Sequence, residues 1–356
     1  MAWQLRNPNI TDPTEAIEEV KKTRKGELTS RLISKFLSLT IRPLFLQTDP
    51  DKATTSSKNK LKTWRDPENE YAVDLLRWAL ETCTESDIKR EFNLLRAPIL
   101  QMLDDNDLKW KAKACEFIGL FVRAAPRELI MGRGYKQMFT DELFPLFTYL
   151  PTLTPEEESV LVFDHAFPAL VTLSLIEETK DERMLDKIVR EGVLAPLFHF
   201  TSPSSYPNLT TIILTHLSAV LDELRIKSVK HLQSILPPLL NILRDHFAPA
   251  SPRLLIAAAK GLQSTIRNGW PRIASPRLLE ISTASCESWI ACAEFEQNST
   301  DLENAKHELK VVMRMVDQRI VMLADDQEMD VWNREKTKLV AEGSIFKELF
   351  EGVKRA

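Results

Sequence analysis

The chain has 356 residues, 44% apolar and 28% charged, with 47 Lys and Arg against 51 Asp and Glu for a net charge of −4. That near-balance leaves no global field favouring nucleic acid or anionic lipid. Only 9 Gly stand against 20 Pro and 16 Phe, which argues against Gly-rich phosphate loops, hairpin-dense β architectures and flexible linkers and points to a helical protein.

Residues 1–13 are polar and Pro-containing and read as a loose arm; the opening Met1-Ala2-Trp3-Gln4-Leu5-Arg6 lacks the apolar core of a signal peptide. A first helical pair is predicted over about Glu15 to Leu46. Within it Lys21-Lys22-Thr23-Arg24-Lys25 fits a solvated helix end better than a nuclear address. Residues 47–69 read as a long polar loop that runs into Trp64-Arg65-Asp66-Pro67, with a helix from about Glu68.

Next comes Ala97-Pro98-Ile99-Leu100-Gln101-Met102-Leu103, closed by Asp104-Asp105-Asn106-Asp107. This acidic run suits stopping one helix and capping the next; it lacks the Gly and Glu at the set positions of a calcium loop. Beyond it, Leu108, Ala112, Cys115, Gly119 and Val122 form one stripe. Trp110, Ala114, Phe117 and Phe121 form a second, so the helix is sandwiched between neighbours. Lys109, Lys111 and Lys113 scatter around that helix and make no stripe for phosphates. It ends before Pro126, and Gly132-Arg133-Gly134, with no strand before it and no Lys-Ser/Thr after it, reads as a loop between helices.

Phe144-Pro145-Leu146-Phe147-Thr148-Tyr149-Leu150 and Ala195-Pro196-Leu197-Phe198-His199-Phe200 follow. The stretch Gly192 to Leu221 carries no Asp, Glu, Lys or Arg, yet Pro196, Pro203 and Pro207 with Ser202, Ser204 and Ser205 break it. A membrane span needs roughly 20 continuous apolar residues, so the prediction is helix, loop, helix. Pro237-Pro238-Leu239-Leu240-Asn241-Ile242-Leu243 leads to a further helix with Leu255, Ala259, Leu262 and Ile266 on one face. Then Ile266-Arg267-Asn268-Gly269-Trp270-Pro271-Arg272-Ile273 makes a corner, where Gly269 ends a helix and Pro271 prevents its continuation. Trp270 either closes an inter-helix gap or, with Arg272, faces a partner, since Trp and Arg dominate binding hot spots. Leu302 to Leu323 is charged on one face and apolar on the other, as in a terminal cap. Residues 325–356 read as a helical tail, loosely docked because Val331 to Val353 has few large apolar residues.

The recurring element is a Pro followed by large apolar residues, with a weaker copy at Arg42-Pro43-Leu44-Phe45-Leu46. Pro98, Pro145, Pro196 and Pro238 lie 47, 51 and 42 residues apart, around the period of HEAT and armadillo helical repeats. One helix pair cannot bury its own apolar face, so the pairs must stack. The expected fold is all-α: a HEAT/armadillo-like helical-repeat superhelix, or α-solenoid, over residues 14–324, with no β-sheet.

Chemistry is sparse. His165, His199, His216, His231, His246 and His307 show no metal spacing, and no Gly-x-Ser-x-Gly elbow exists. Cys83, Cys115, Cys286 and Cys292 fit neither a disulfide framework nor a zinc pattern and read as small buried apolar residues in a reducing compartment. The sequons at Asn9, Asn208 and Asn298 read as chance matches. The expectation is no catalytic, cofactor-binding or metal residue, hence no cofactor and no enzyme, with Trp270 and Arg272 as the candidate partner-binding pair.

Arg42-Pro43-Leu44-Phe45, Trp64-Arg65, Leu75-Leu76-Arg77-Trp78 and the corner Trp270 to Ile273 together resemble the second Tel-two-interacting-protein family, over roughly residues 30 to 300. The resemblance implies a non-enzymatic helical-repeat subunit of the Triple-T complex, bound to Tel-two and its first interacting protein. It further implies work with a heat-shock chaperone in maturing phosphatidylinositol-3-kinase-related kinases, with consequences for DNA-damage response and telomere maintenance. Direct contact with nucleic acid or membrane is not expected, and the location implied is cytoplasmic with access to the nucleus. Two other readings stay open on the residues alone: a karyopherin-like or other regulatory helical-repeat adaptor, and an enzyme with its site in a concave groove.

Overall fold

The structure is a computed structural model that describes residues 13–45, 63–296, 299–323 and 326–351. The expected arm up to residue 12 and the predicted loop up to residue 62 lie outside the described residues. Every regular element among the described residues is helical, so the protein is all-α. Its packing divides it into two compact units, Met1–Phe139 and Thr140–Ala356.

The first unit opens with α1 (Pro13–Phe36), which passes through a π-helical turn (Leu37–Ile41) into α2 (Arg42–Phe45). One helical run thus stands where the sequence predicts a pair. No strong breaker precedes Pro43, and the wide turn absorbs its ring: the amide of Arg42 reaches back five residues to the carbonyl of Leu37. Ile33, Leu37, Ile41 and Phe45, four residues apart, form its buried stripe. A 3₁₀ turn (Pro67–Asn69), α3 (Tyr71–Thr82), α4 (Glu85–Leu103), α5 (Leu108–Ala124), α6 (Arg127–Gly132) and α7 (Tyr135–Leu143) follow. α5 packs against both α3 and α4, which is why both of its apolar stripes are buried. Asp107 caps it, its carboxylate accepting from the amide of Lys109 at 2.9 Å.

The start of α4 is more elaborate. Thr84 and Asp87 form a reciprocal capping box, and Asp87 also accepts from Ser30 of α1 at 3.0 Å and from Arg90 at 2.8 Å. Burial pushes the Asp87 carboxyl up, but the hydrogen bonds from Thr84, Ser30 and Arg90 outweigh it and hold it below the ordinary carboxylate range.

In the second unit a 3₁₀ segment (Phe144–Thr148) precedes α8 (Glu156–Ser174), α9 (Glu182–Lys187), a π-helical segment (Ile188–Leu194) and α10 (Ala195–His199). Then come α11 (Pro207–Leu224), α12 (Leu232–Arg244), α13 (Pro252–Gly269), α14 (Ser275–Glu294), α15 (Thr300–Leu323), α16 (Asp326–Glu342) and α17 (Ser344–Glu351). α8 packs on α11, α11 on α13 and α13 on α15, while α12 packs on α14. Alternate helices therefore stack on one another, as helix pairs in register must.

The four recurrent prolines do not share one local conformation. Pro98 lies inside α4, Pro145 opens the 3₁₀ segment, Pro196 begins α10 after the π-helical segment, and Pro237 and Pro238 lie inside α12. Each position lacks an amide donor, and the backbone adjusts by whichever widening or tightening its neighbours allow.

The end of the chain differs from the expectation of a loose tail. Phe346, Leu349 and Phe350 are buried, and α17 packs on α14, α15 and α16. Trp289 of α14 donates to the carbonyl of Ile345 at 2.8 Å, and Trp332 donates to Asp317 at 2.9 Å. The tail has few large apolar residues, but they fall three and four apart, enough for one buried face. α15 is consequently not the outermost helix.

Candidate protein interface

In the first unit the short motifs meet in space. Phe45 stacks on Trp64 with ring centres 5.0 Å apart, and Trp64 meets Trp110 edge-on at 5.0 Å. Arg65 pairs with Asp105, the residue that also accepts from the amide of Asp107 at 2.8 Å. Arg77 pairs with Glu116 of α5. Most of these residues hold helices together. On α3, however, Ala72, Val73, Leu76, Ala79 and Leu80 face inward, whereas Tyr71, Leu75 and Trp78 are exposed at spacings of four and three. That is an apolar stripe on the solvent side of a helix.

The second unit carries the corner singled out in the sequence. α13 stops at Gly269, and Trp270-Pro271-Arg272 forms a 3₁₀ turn before α14. Trp270 keeps 46% of its surface exposed. Arg319 of α15 lies over its ring, 5.3 Å from the centre. Arg272 is exposed, and its carbonyl accepts from Arg277 at 2.5 Å.

Beside Trp270 runs a surface groove of about 430 Å³, lined by Asp222, Arg225, Ile226, Arg267, Asn268 and Trp270. One wall is held by Asp222 at the end of α11, which accepts from Asn268 at 2.6 Å, from Arg267 at 3.2 Å and from Ser264 at 3.4 Å. These bonds tie α11 to α13. Sequence reasoning named Trp270 and Arg272 but missed Asp222, Arg225, Ile226 and Arg267. The first pair stood out by residue type at a helix break. The others lie some forty residues earlier or inside an ordinary helix face, and only the stacking of α11 on α13 gathers them.

The Tti2 family model matches residues 5–250, more than half of the chain. The chain belongs to the Tti2 family. The match takes in the Phe45, Trp64 and Leu75 to Trp78 motifs, starts earlier than the resemblance in the sequence suggested, and ends before the Trp270 corner. No solved structure matches the chain.

In this member of the Tti2 family, among the described residues, no cluster of three or more His, Cys, Asp or Glu is placed to hold a metal. No described helix is long and apolar enough to cross a membrane. The four cysteines are free thiols. Burial pushes the thiols of Cys286 and Cys292 up to about 11 and that of Cys83 up to about 12, and it raises Cys115 as well. What the surface offers is apolar and guanidinium contact, the chemistry of protein docking.

Proposed function

We propose that the chain is a non-enzymatic helical scaffold subunit of the Triple-T complex, binding Tel-two and its first interacting protein. In that role it supports chaperone-dependent maturation of phosphatidylinositol-3-kinase-related kinases, in the cytoplasm and with access to the nucleus. The observation that carries this reading is the Tti2 family match over residues 5–250. Physically, stacked helices present an extended surface to which long partners can dock without any catalytic constellation.

A stable complex needs roughly 1,600 Å² of buried surface and a few aromatic or Arg anchors. Tyr71, Leu75 and Trp78 on α3 and the corner at Trp270 and Arg272 are the exposed side chains of that kind that support the reading. Affinity purification of the tagged full chain from its native cell, followed by mass spectrometry, tests it. Tel-two, its first interacting protein and large kinases are expected in the eluate, and Trp270→Ala with Arg272→Ala lowers their recovery. An eluate holding transport factors and neither of the two larger subunits refutes the reading and favours a karyopherin-like adaptor.

A further inference from the structure

The groove beside Trp270 has an unbalanced charge. Asp222 is its only lining carboxylate, and Arg267, Asn268 and Ser264 already engage it. Arg225, on the same lining, has no carboxylate partner among the described residues. Neither does Arg272, next to the indole in sequence, nor Arg319, whose guanidinium lies over it. Arg319 therefore lies over a half-exposed indole without a carboxylate of its own, Arg225 lines the groove in the same condition, and Ile226 adds an exposed apolar side chain to that lining.

Arg225 is unusual in a second respect. With φ 52° and ψ −133° it is the only described non-glycine residue at positive φ. L side chains rarely adopt that conformation, so a residue kept there is held by its surroundings. The turn sits between α11 and the 3₁₀ segment Arg225–His231. A glycine would meet its backbone demand without strain, yet an arginine occupies it.

We infer that the groove seats a protein segment in which apolar residues are flanked by Asp or Glu. The apolar residues lie against Trp270 and Ile226, and the carboxylates reach Arg225 and the cations beside the indole. Guanidinium recognises carboxylate through paired donors, and Trp supplies apolar area at little entropic cost. Asp222 is already engaged by Asn268, Arg267 and Ser264, which leaves the other cations for the carboxylates of the occupant, and the exposed aliphatic side chain of Ile226 in the lining suits an apolar peptide side chain and not a phosphate track. The inference rests on the scaffold reading above only in taking the occupant to be protein.

The test uses the purified full chain and fluorescence anisotropy at roughly 0.1 M salt. The probe is a labelled peptide with a Leu-Phe pair between runs of Asp and Glu, set against one copy with Asn and Gln flanks and another with Ser-Ser at the centre. The acidic peptide is expected to bind about tenfold or more tighter than either copy. Arg225→Gly keeps the fold, since glycine adopts that backbone freely, and lowers affinity about tenfold; Trp270→Ala lowers it similarly, with circular dichroism unchanged. Equal binding of the neutral copy overturns the inference. So does an Arg225→Gly variant that binds as tightly as the parent, or a single-stranded oligonucleotide that outcompetes the acidic peptide. The two readings fail separately: loss of the larger subunits from the eluate leaves the peptide result standing, and loss of peptide binding leaves the co-purification standing.

Discussion

Trp64→Ala should be among the most damaging single changes in the first unit. The indole is 3% exposed, stacked on Phe45 at an interplanar angle of 4° and edge-on to Trp110 at 81°. Truncating a buried Trp to Ala costs about 3–5 kcal/mol, of which each aromatic pair supplies about 0.5–1.5 kcal/mol beyond area burial. Trp64→Phe keeps a ring against Phe45 and should cost less than half as much. A double-mutant cycle with Phe45→Ala isolates the stack and should return a coupling of about 1 kcal/mol. Because the chain has two compact units, one global midpoint is ambiguous. Hydrogen exchange read at the amides of α2, α4 and α5 is the better assay. Unchanged protection of those amides in Trp64→Ala, or a coupling near zero, would refute the view that this clamp holds α2 against α5.

Asp87→Asn should destabilise by about 2 kcal/mol at neutral pH, since it removes a buried carboxylate from charge-assisted bonds. The folded carboxyl is held below its ordinary value, so its contribution is complete above about pH 4 and fades as pH falls through the depressed value. The difference in amide protection of α4 between parent and variant should therefore vanish as pH falls below that value, and a gap constant with pH would sink the assignment. Gly192→Ala should cost about 1–3 kcal/mol, because its Cβ would stand 2.8 Å from Phe147 and 3.0 Å from Phe167, rings already packed together. Gly119→Ala, with nothing nearer than the Arg123 guanidinium at 3.8 Å, should instead gain up to about 1 kcal/mol; thermal melts separate the two. The raised thiols hold little thiolate near pH 7, so Ellman's reagent should label the native chain slowly and all four cysteines only after denaturation.

Much of the helical layout can be read without coordinates because it depends on neighbours in sequence. The Asp107 cap, the twin stripes of α5 and the break ahead of Pro126 follow from residue types three and four apart. The predicted helix pair over Glu15 to Leu46 is instead one α1–α2 run, because a π turn ahead of Pro43 absorbs its ring. The docking of α17 depends on the spacing of Phe346, Leu349 and Phe350 and not on how many apolar residues the tail holds. Of the candidate site, Trp270 and Arg272 stand out by residue type at the helix break that Gly269 and Pro271 make. Arg225 does not, since nothing in the local sequence announces a left-handed backbone at that junction.

By itself the sequence determined that this is an all-helical, repeat-built chain of the Tti2 family, because helical period, caps and proline placement are local properties and family motifs are strings of residues. The tertiary structure alone decided which side chains meet. Phe45 finds Trp64, Trp64 finds Trp110, and Asp222 of α11 finds Asn268 of α13. Helix faces say only that something must cover them; which neighbour does so, and which indole stays half in water, depends on how the helices stack.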